Sequence, residues 1–338
     1  MTIRIAAIGL THNHIYGQVD CLLREGAELV AFWEPEAAVA VPFAETYPQA
    51  RRGADRDAIL EDTSIQMVLT SAVPADRAEI AIAAMRHGKD VMSDKPGMTT
   101  LQQLHAVKKT VAETGRIFSV CYSEHFETRS TVKAGDLVRA GAIGEVVHIV
   151  GLGPHRLNNG ARAPYFFDRP RYGGILCDIG SHQCEQFLFF SGTLEARVLS
   201  ATVANRGHPQ YPGLQDVGDM HLWTPRTSGY VRLDWFTPDG LGTWGDGRLT
   251  ILGTEGYIEL RKYVDIAGRP GKDHLFLVDG KGTHYIDCSS VELTYGRQLL
   301  ADVRDRTETA MSQAHCFKAM ELALAAQELA ERGTEWQQ

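Results

Sequence analysis

Short apolar runs alternate with helix-length segments across the first 122 residues, and this alternation limits the fold more than any other feature of the chain. Ile3–Gly9 is an apolar run ending in glycine, the pattern of a buried parallel strand before a tight turn. A helix is expected over Ile15–Glu25 and a second strand over Glu28–Trp33, closed by Glu34 and Pro35. Strand Ile65–Ser71, helix Ala75–His87, strand Asp90–Ser93, helix Leu101–Thr114 and strand Ile117–Tyr122 continue the series. Parallel neighbours need a crossover between them, so such a series builds a doubly wound parallel α/β sheet.

After residue 122 the rhythm changes. Candidate strands Val146–Leu152, Ala196–Val203, Asp219–Leu222, Gly229–Phe236, Arg248–Leu252 and Tyr257–Arg261 follow one another with few helices between them. A run of this kind predicts an α+β domain with a mostly antiparallel sheet. A helix over Asp178–Phe190 interrupts it, and an Ala-rich amphipathic helix over residues 307–331 ends it. The expected division is residues 1–122 for nucleotide and 123–338 for substrate.

The formal net charge of −8 lacks the basic footprint of a nucleic-acid binder. No run approaches the roughly 18 apolar residues of a membrane span, and the N-terminus enters a strand without the pattern of a signal peptide. The six cysteines are scattered with no CxxC, so buried thiols in a cytoplasmic protein are expected rather than disulfides or a zinc site.

A dinucleotide site needs a glycine turn after the first strand, a helix N-terminus and an acid after the second strand. Gly9-Leu10-Thr11-His12-Asn13-His14 occupies the turn, with Thr11 and His14 standing where the second and third glycines would be. An ordinary strand-to-helix turn accounts for the same residues. Thr11, His12, Asn13 and His14 all carry groups able to meet phosphate or ribose, and His14 equally suits a role as filler between helix and strand. Glu34 falls where a carboxylate accepts from both ribose hydroxyls and repels a 2′-phosphate, which predicts NAD rather than NADP.

Two further motifs carry chemistry. Asp94-Lys95-Pro96 ends a strand at the carboxyl edge of the expected parallel sheet, where ligands bind in open α/β folds. Gly173-Gly174 precedes Asp178 and His182, which are four apart and share one face of a helix. Taken singly, Asp178 serves as a partner for the helix dipole, His182 as a core histidine and Lys95 as a surface charge. Together they supply a proton acceptor and cationic and anionic anchors for one hydroxyl. His155, Arg156, Asn158, Asn159, Arg162, Tyr165, Asp168 and Arg169 form a polar stretch before the glycine pair, suited to a many-hydroxyl ligand or to a solvated loop.

These motifs resemble the glucose-fructose oxidoreductase / inositol dehydrogenase / rhizopine catabolism (Gfo/Idh/MocA) family over nearly the whole chain. The resemblance rests on the N-terminal turn, Asp94-Lys95-Pro96, Tyr122, Gly173-Gly174 with Asp178 and His182, and Gly253-Thr254-Glu255-Gly256. It implies a Rossmann domain, a C-terminal domain whose large open sheet supports homodimers or homotetramers, and NAD(P)-dependent oxidation of a sugar or polyol. Lys95, Asp178 and His182 are then catalytic, with His182 the acid/base. Gly9, Thr11, His12, Asn13, His14, Glu34, Asp94 and Pro96 face the cofactor. Tyr122, His125, His155, Arg156, Tyr165 and Arg169 face the substrate, and no metal is expected. The chain departs from the family in its depleted glycine turn, in Asp94 for glutamate, in Glu185 for aspartate and in His125 for an arginine. An NAD-dependent glycosidase or lyase working by transient oxidation, and a non-catalytic NAD-binding regulator, remain as rival readings.

Overall fold

A computed structural model describes residues 2–158, 160 and 162–334. The elements run β1 (Arg4–Ile8), α1 (His14–Leu23), β2 (Glu28–Trp33), α2 (Ala37–Thr46), β3 (Arg51–Arg52), α3 (Arg56–Leu60), β4 (Met67–Thr70), α4 (Pro74–Arg86), β5 (Asp90–Asp94), α5 (Leu101–Thr114) and β6 (Phe118–Cys121). There follow α6 (Ser123–Phe126), α7 (Arg129–Arg139), β7 (Val146–Pro154), α8 (Arg169–Tyr172), α9 (Ile175–Asp178) and α10 (Gly180–Ser191). Strands β8 (Arg197–Ala204), β9 (Val217–Trp223), β10 (Ser228–Asp234), β11 (Arg248–Gly253), β12 (Gly256–Arg261), β13 (His274–Asp279) and β14 (Gly282–Ile286) lead to α11 (Tyr295–Asp305) and α12 (Gln313–Thr334).

Two compact units result. The first takes the chain through Cys121 together with Thr294–Phe317, and the second takes Tyr122–Leu293 together with the stretch from Lys318 onward. The first contains a six-stranded parallel sheet of order β3-β2-β1-β4-β5-β6, the doubly wound order expected from the alternating pattern. Strands β4 and β5 are buried along their whole length, so β4 opens on the apolar run Met67-Val68-Leu69 rather than alternating, while β5 buries the polar Asp90, Ser93 and Asp94. Helix α11 lies with this unit: Arg306 closes it with a forked pair to the buried carboxylate of Asp90, at 2.8 and 2.5 Å. Gln313 covers the edge strand β6, its amide donating to the carbonyl of Phe118 and accepting from that residue's N–H.

The second unit contains an eight-stranded sheet of order β14-β13-β12-β11-β7-β10-β9-β8, antiparallel except where β7 and β10 pair. One face alternates into the core, as in β9 and β11, where Met220, Leu222, Leu249 and Ile251 are buried. No helix among the described residues is long and apolar enough to cross a membrane. All six cysteines are buried.

Two expected helices have different limits. The last begins at Gln313 rather than 307, because the carboxylate of Asp302 holds residues 307–310 as a loop. It accepts from the hydroxyls of Thr307 and Thr309 and from the N–H groups of Thr309 and Ala310. The helix expected over Asp178–Phe190 is two pieces, α9 and α10, joined at Ile179. There the N–H of His182 bonds to the carbonyl of Ile179 at 3.2 Å, and the Asp178 carbonyl is taken by the Ser181 hydroxyl at 3.0 Å.

Asp302 is 1% exposed and satisfies four donors. Asp302→Ala strands those donors and is expected to cost about 1–3 kcal/mol, read as a lower urea midpoint with an unchanged slope.

Candidate active site

In the first unit the candidate cofactor residues gather at the carboxyl ends of β1, β2 and β5. Gly9 has φ +73°, and a Cβ there would sit 2.5 Å from that of Ala72, so the turn after β1 requires glycine at this one place. Glu34 is 4% exposed. Its two oxygens accept from the N–H of Leu10 at 2.8 Å and of Glu36 at 3.1 Å, which aims the carboxylate before any ligand arrives. Each oxygen keeps a second lone pair for a ribose hydroxyl. Thr11 is partly exposed and Asn13 exposed at the start of α1.

His12 and His14 do not take up the free-standing positions that a phosphate-facing reading implies. Both turn toward Asp94, which is 1% exposed. The Nδ1–H of His14 donates to Asp94 Oδ1 at 2.9 Å, while His12 Nδ1 accepts the His14 N–H at 3.2 Å and lies 3.6 Å from Asp94 Oδ2. Asp94 also accepts from the N–H of Lys95 at 2.8 Å and from Arg77 Nη2 at 2.9 Å. Burial pushes the Asp94 carboxyl up, but His14, Arg77 and His12 more than reverse this and hold it well below the usual carboxylate range. Burial, helped by His14, Lys95 and Arg77, pushes His12 well down against the pull of Asp94, so its ring is neutral at pH 7.

His12, His14 and Asp94 bring their ligand atoms within 4.8 Å of one another, a spacing that also suits a metal ion. The carboxylate's charge is already met by Arg77, and Lys95 adds a second cation, so a hydrogen-bonded cluster is the better physical account. Lys95 is 5% exposed, and its peptide bond to Pro96 is cis.

In the second unit, Asp178 and His182 are 4% and 2% exposed. Gly173 and Gly174 both have positive φ, and a Cβ on Gly174 would strike the amide of Gln327 at 2.3 Å. That amide, from α12, accepts from the N–H groups of Leu176 and Cys177 and so caps the short helix that ends at Asp178. The His182 ring meets Tyr122, which is fully buried, at 6.1 Å and 68°. Arg162 lies between Trp235 and Phe166, 4.3 and 4.5 Å from their rings. Burial lowers its pKa and the charge of Asp178 opposes that, which places the two in electrostatic reach. His155 packs on Trp244 and Trp235 at 4.5 and 5.3 Å. Tyr165 stacks on Phe166.

Three of the substrate-side residues have other protein partners. Arg169 pairs with Glu331, Arg156 donates to the carbonyls of Pro238 and Leu241, and His125 Nδ1 meets Glu185 at 2.8 Å. Asn159 lies outside the described residues.

The sequence reading missed a buried pair beneath His182. Lys262, fully buried, donates to Glu124 at 2.8 Å and to Gln186 at 2.7 Å. Gln186 in turn donates to the His182 carbonyl, and Gln183 donates to Glu124. Burial pushes Glu124 up, but Lys262, His182 and His155 hold it far below the usual range. No motif announces this pair, because its members are 138 residues apart.

Comparison with known proteins follows the same division. Residues 3–122 match the model of the oxidoreductase family with an NAD-binding Rossmann fold, and residues 131–259 match the GFO/IDH/MocA C-terminal domain. An Erwinia carotovora atroseptica structure, described in no more detail than as an oxidoreductase, is 47% identical with a TM-score of 0.95, covering 97% of this chain and 99% of its own. The scyllo-inositol 2-dehydrogenase (NAD(+)) of Bacillus subtilis is 24% identical over 293 residues, 84% of this chain and 79% of that protein. An Agrobacterium radiobacter oxidoreductase, solved with NAD+, L-tartaric acid and magnesium, shares the fold at 19% identity and a TM-score of 0.83, covering 98% of this chain and 97% of its own.

Lys262→Met strands the Glu124 carboxylate and is expected to destabilise the protein by about 3–5 kcal/mol, most of it recovered in Lys262→Met/Glu124→Gln. Denaturant midpoints of the three proteins check this. Asp94 and Glu124 have depressed folded-state pKa values. Their stabilisation is therefore present above the unfolded carboxylate range, about pH 4, and is lost as pH falls through the lower folded values. Melting temperature from this source should be level at pH 5–7 and fall in more acidic buffer.

Proposed function

Because the chain belongs to the GFO/IDH/MocA family of NAD-binding oxidoreductases, we propose that it transfers a hydride between nicotinamide and a secondary alcohol of a sugar, polyol or inositol-like substrate. The observation that carries this reading is the gathering, at one edge of the first unit's sheet, of the Gly9 turn, the pre-aimed Glu34 carboxylate and Asp94-Lys95-Pro96. NAD, when bound, supplies the hydride acceptor. Glu34 holds the adenosine ribose through its remaining lone pairs and repels a 2′-phosphate. In the turn after β1, Thr11 and Asn13 face the phosphates, while His12 and His14, drawn to Asp94, join Asp94 and Pro96 in shaping the edge beside Lys95.

His182 takes the hydroxyl proton, and Lys95 steadies the oxygen as negative charge develops on it. Asp178 orients His182 or a neighbouring hydroxyl. Tyr122 and His155, against His182 and the two tryptophans, supply the polar and apolar surfaces that a cyclic polyol presents in pairs. Arg162, close to Asp178 in charge, serves as an anchor for a polar substituent. The dehydrogenase relative acts on an inositol and the tartrate-bound neighbour holds a hydroxy acid, and both fit this class. An assembly of two or four copies through the open sheet is part of the same reading.

A screen of sugars, inositols and sugar acids with NAD and NADP, following both absorbance and product, tests the assignment. NADH formation with at least one polyol, and preference for NAD, are expected. Product without net NADH would favour transient oxidation with elimination instead. His182→Ala and Lys95→Ala should each lower turnover by about 10²–10⁴-fold while NAD affinity stays within a few-fold. Near-normal turnover in either variant removes that residue from the mechanism.

A further inference from the structure

One fully buried cation in the first unit has no part in the reaction as described. Arg77, in the first turn of α4, is 1% exposed. Its Nε donates to the Ala72 carbonyl at 2.7 Å, just beyond β4. Its Nη1 donates to the carbonyls of Lys95 at 2.5 Å and Pro96 at 3.0 Å, and its Nη2 to Asp94 Oδ2 at 2.9 Å. Three nitrogens thus reach four acceptors, three of them on consecutive residues of the Asp94-Lys95-Pro96 turn. A planar, rigid fork can span such a set, whereas a lysine ammonium is a point charge that cannot.

We propose that Arg77 is the positioning residue for Lys95: its guanidinium fixes the main chain of the Lys95–Pro96 turn against the end of β4 and so sets the direction in which the Lys95 side chain leaves the sheet. A charge partner for Asp94 would need only one bond to the carboxylate. The two bonds to the carbonyl of the Lys95–Pro96 peptide and to the next carbonyl along, that of Pro96, act instead on the backbone that carries Lys95. The same guanidinium joins this turn to the cofactor turn, because Asp94 is also held by His14 and lies beside His12. The groups facing Asp94 are therefore His12 and His14 from the turn after β1, Arg77 from α4 and Lys95 from the end of β5.

The inference rests on the assignment of Lys95 to the reacting centre, and its test is read without an alcohol substrate. Lys95 is labelled with pyridoxal 5′-phosphate, trapped with borohydride and quantified by peptide mass spectrometry, with and without NAD. NADH affinity is measured by its fluorescence. Arg77→Lys, Arg77→Gln and Arg77→Gln/Asp94→Asn are compared with the wild type, each with its melting temperature. The double variant removes both charges of the buried pair, so it and Arg77→Lys decide the matter if Arg77→Gln does not fold.

Arg77→Lys and the double variant should label Lys95 about tenfold faster and bind NADH about tenfold more weakly, because a displacement of order 1 Å is felt strongly in a site of this kind. Labelling and affinity within twofold of wild type in both, whatever the melting temperature, would overturn the proposal and leave Arg77 a structural residue. Recovery of both readouts in the double variant alone would overturn it too, by showing that only the charge of Asp94 mattered. Full turnover in Lys95→Ala would instead remove the mechanism while leaving these readouts intact.

Discussion

The buried carboxylate of Asp94 is the interaction on which the first unit's functional edge depends. It sits at the end of a fully buried strand, so its charge is tolerated only because hydrogen bonds and cations surround it. Arg77, His14 and the Lys95 amide occupy its oxygens, and His12 lies just beyond. This explains how the turn after β1 manages with a single glycine. His14, which stands in for the third, and His12 beside it are drawn to the carboxylate at the end of β5 and become part of the wall.

The second unit solves a similar problem differently. His182 and Asp178 stand on a helix broken at Ile179, and each piece is held from outside. Gln327 caps the first from α12, and the Lys262–Glu124 pair braces the second through Gln186 and Gln183. Buried ion pairs seldom add net stability over apolar packing of equal volume. Here the pair is bonded to two side chains of the helix turn that carries the candidate base, so its value lies in fixing that turn.

Much of the fold was legible because period and composition report burial directly. The strands β1, β2, β4, β5 and β6 of the first unit and β7 to β12 of the second lie within two residues of the stretches expected for them. The reading set no bounds to α2, which carries Pro42 inside it, and did not expect α7, β13, α11 or β14, the last exposed on both faces and so marked by no period. It also carried α12 too far back, because the buried cap on residues 307–310 comes from Asp302 on another helix. Candidate site residues were found where a motif is contiguous. Arg77, Glu124, Lys262 and Gln327 were missed because their partners are 17 to 151 residues away, and no local pattern marks them.

The amino-acid order by itself determined the parallel sheet, the change to an antiparallel one, the glycine at position 9 and the motifs that carry Lys95, Asp178 and His182. These follow from local sterics and from the burial of whole elements, which short stretches of chain encode. Tertiary structure alone decided where the polar side chains spend their hydrogen bonds. It turned His12 and His14 inward, gave Arg169 to Glu331 and His125 to Glu185, and brought Arg77 under the Lys95 turn. A buried donor or acceptor must find a partner wherever the fold offers one, and that choice belongs to the assembled unit rather than to any segment of it.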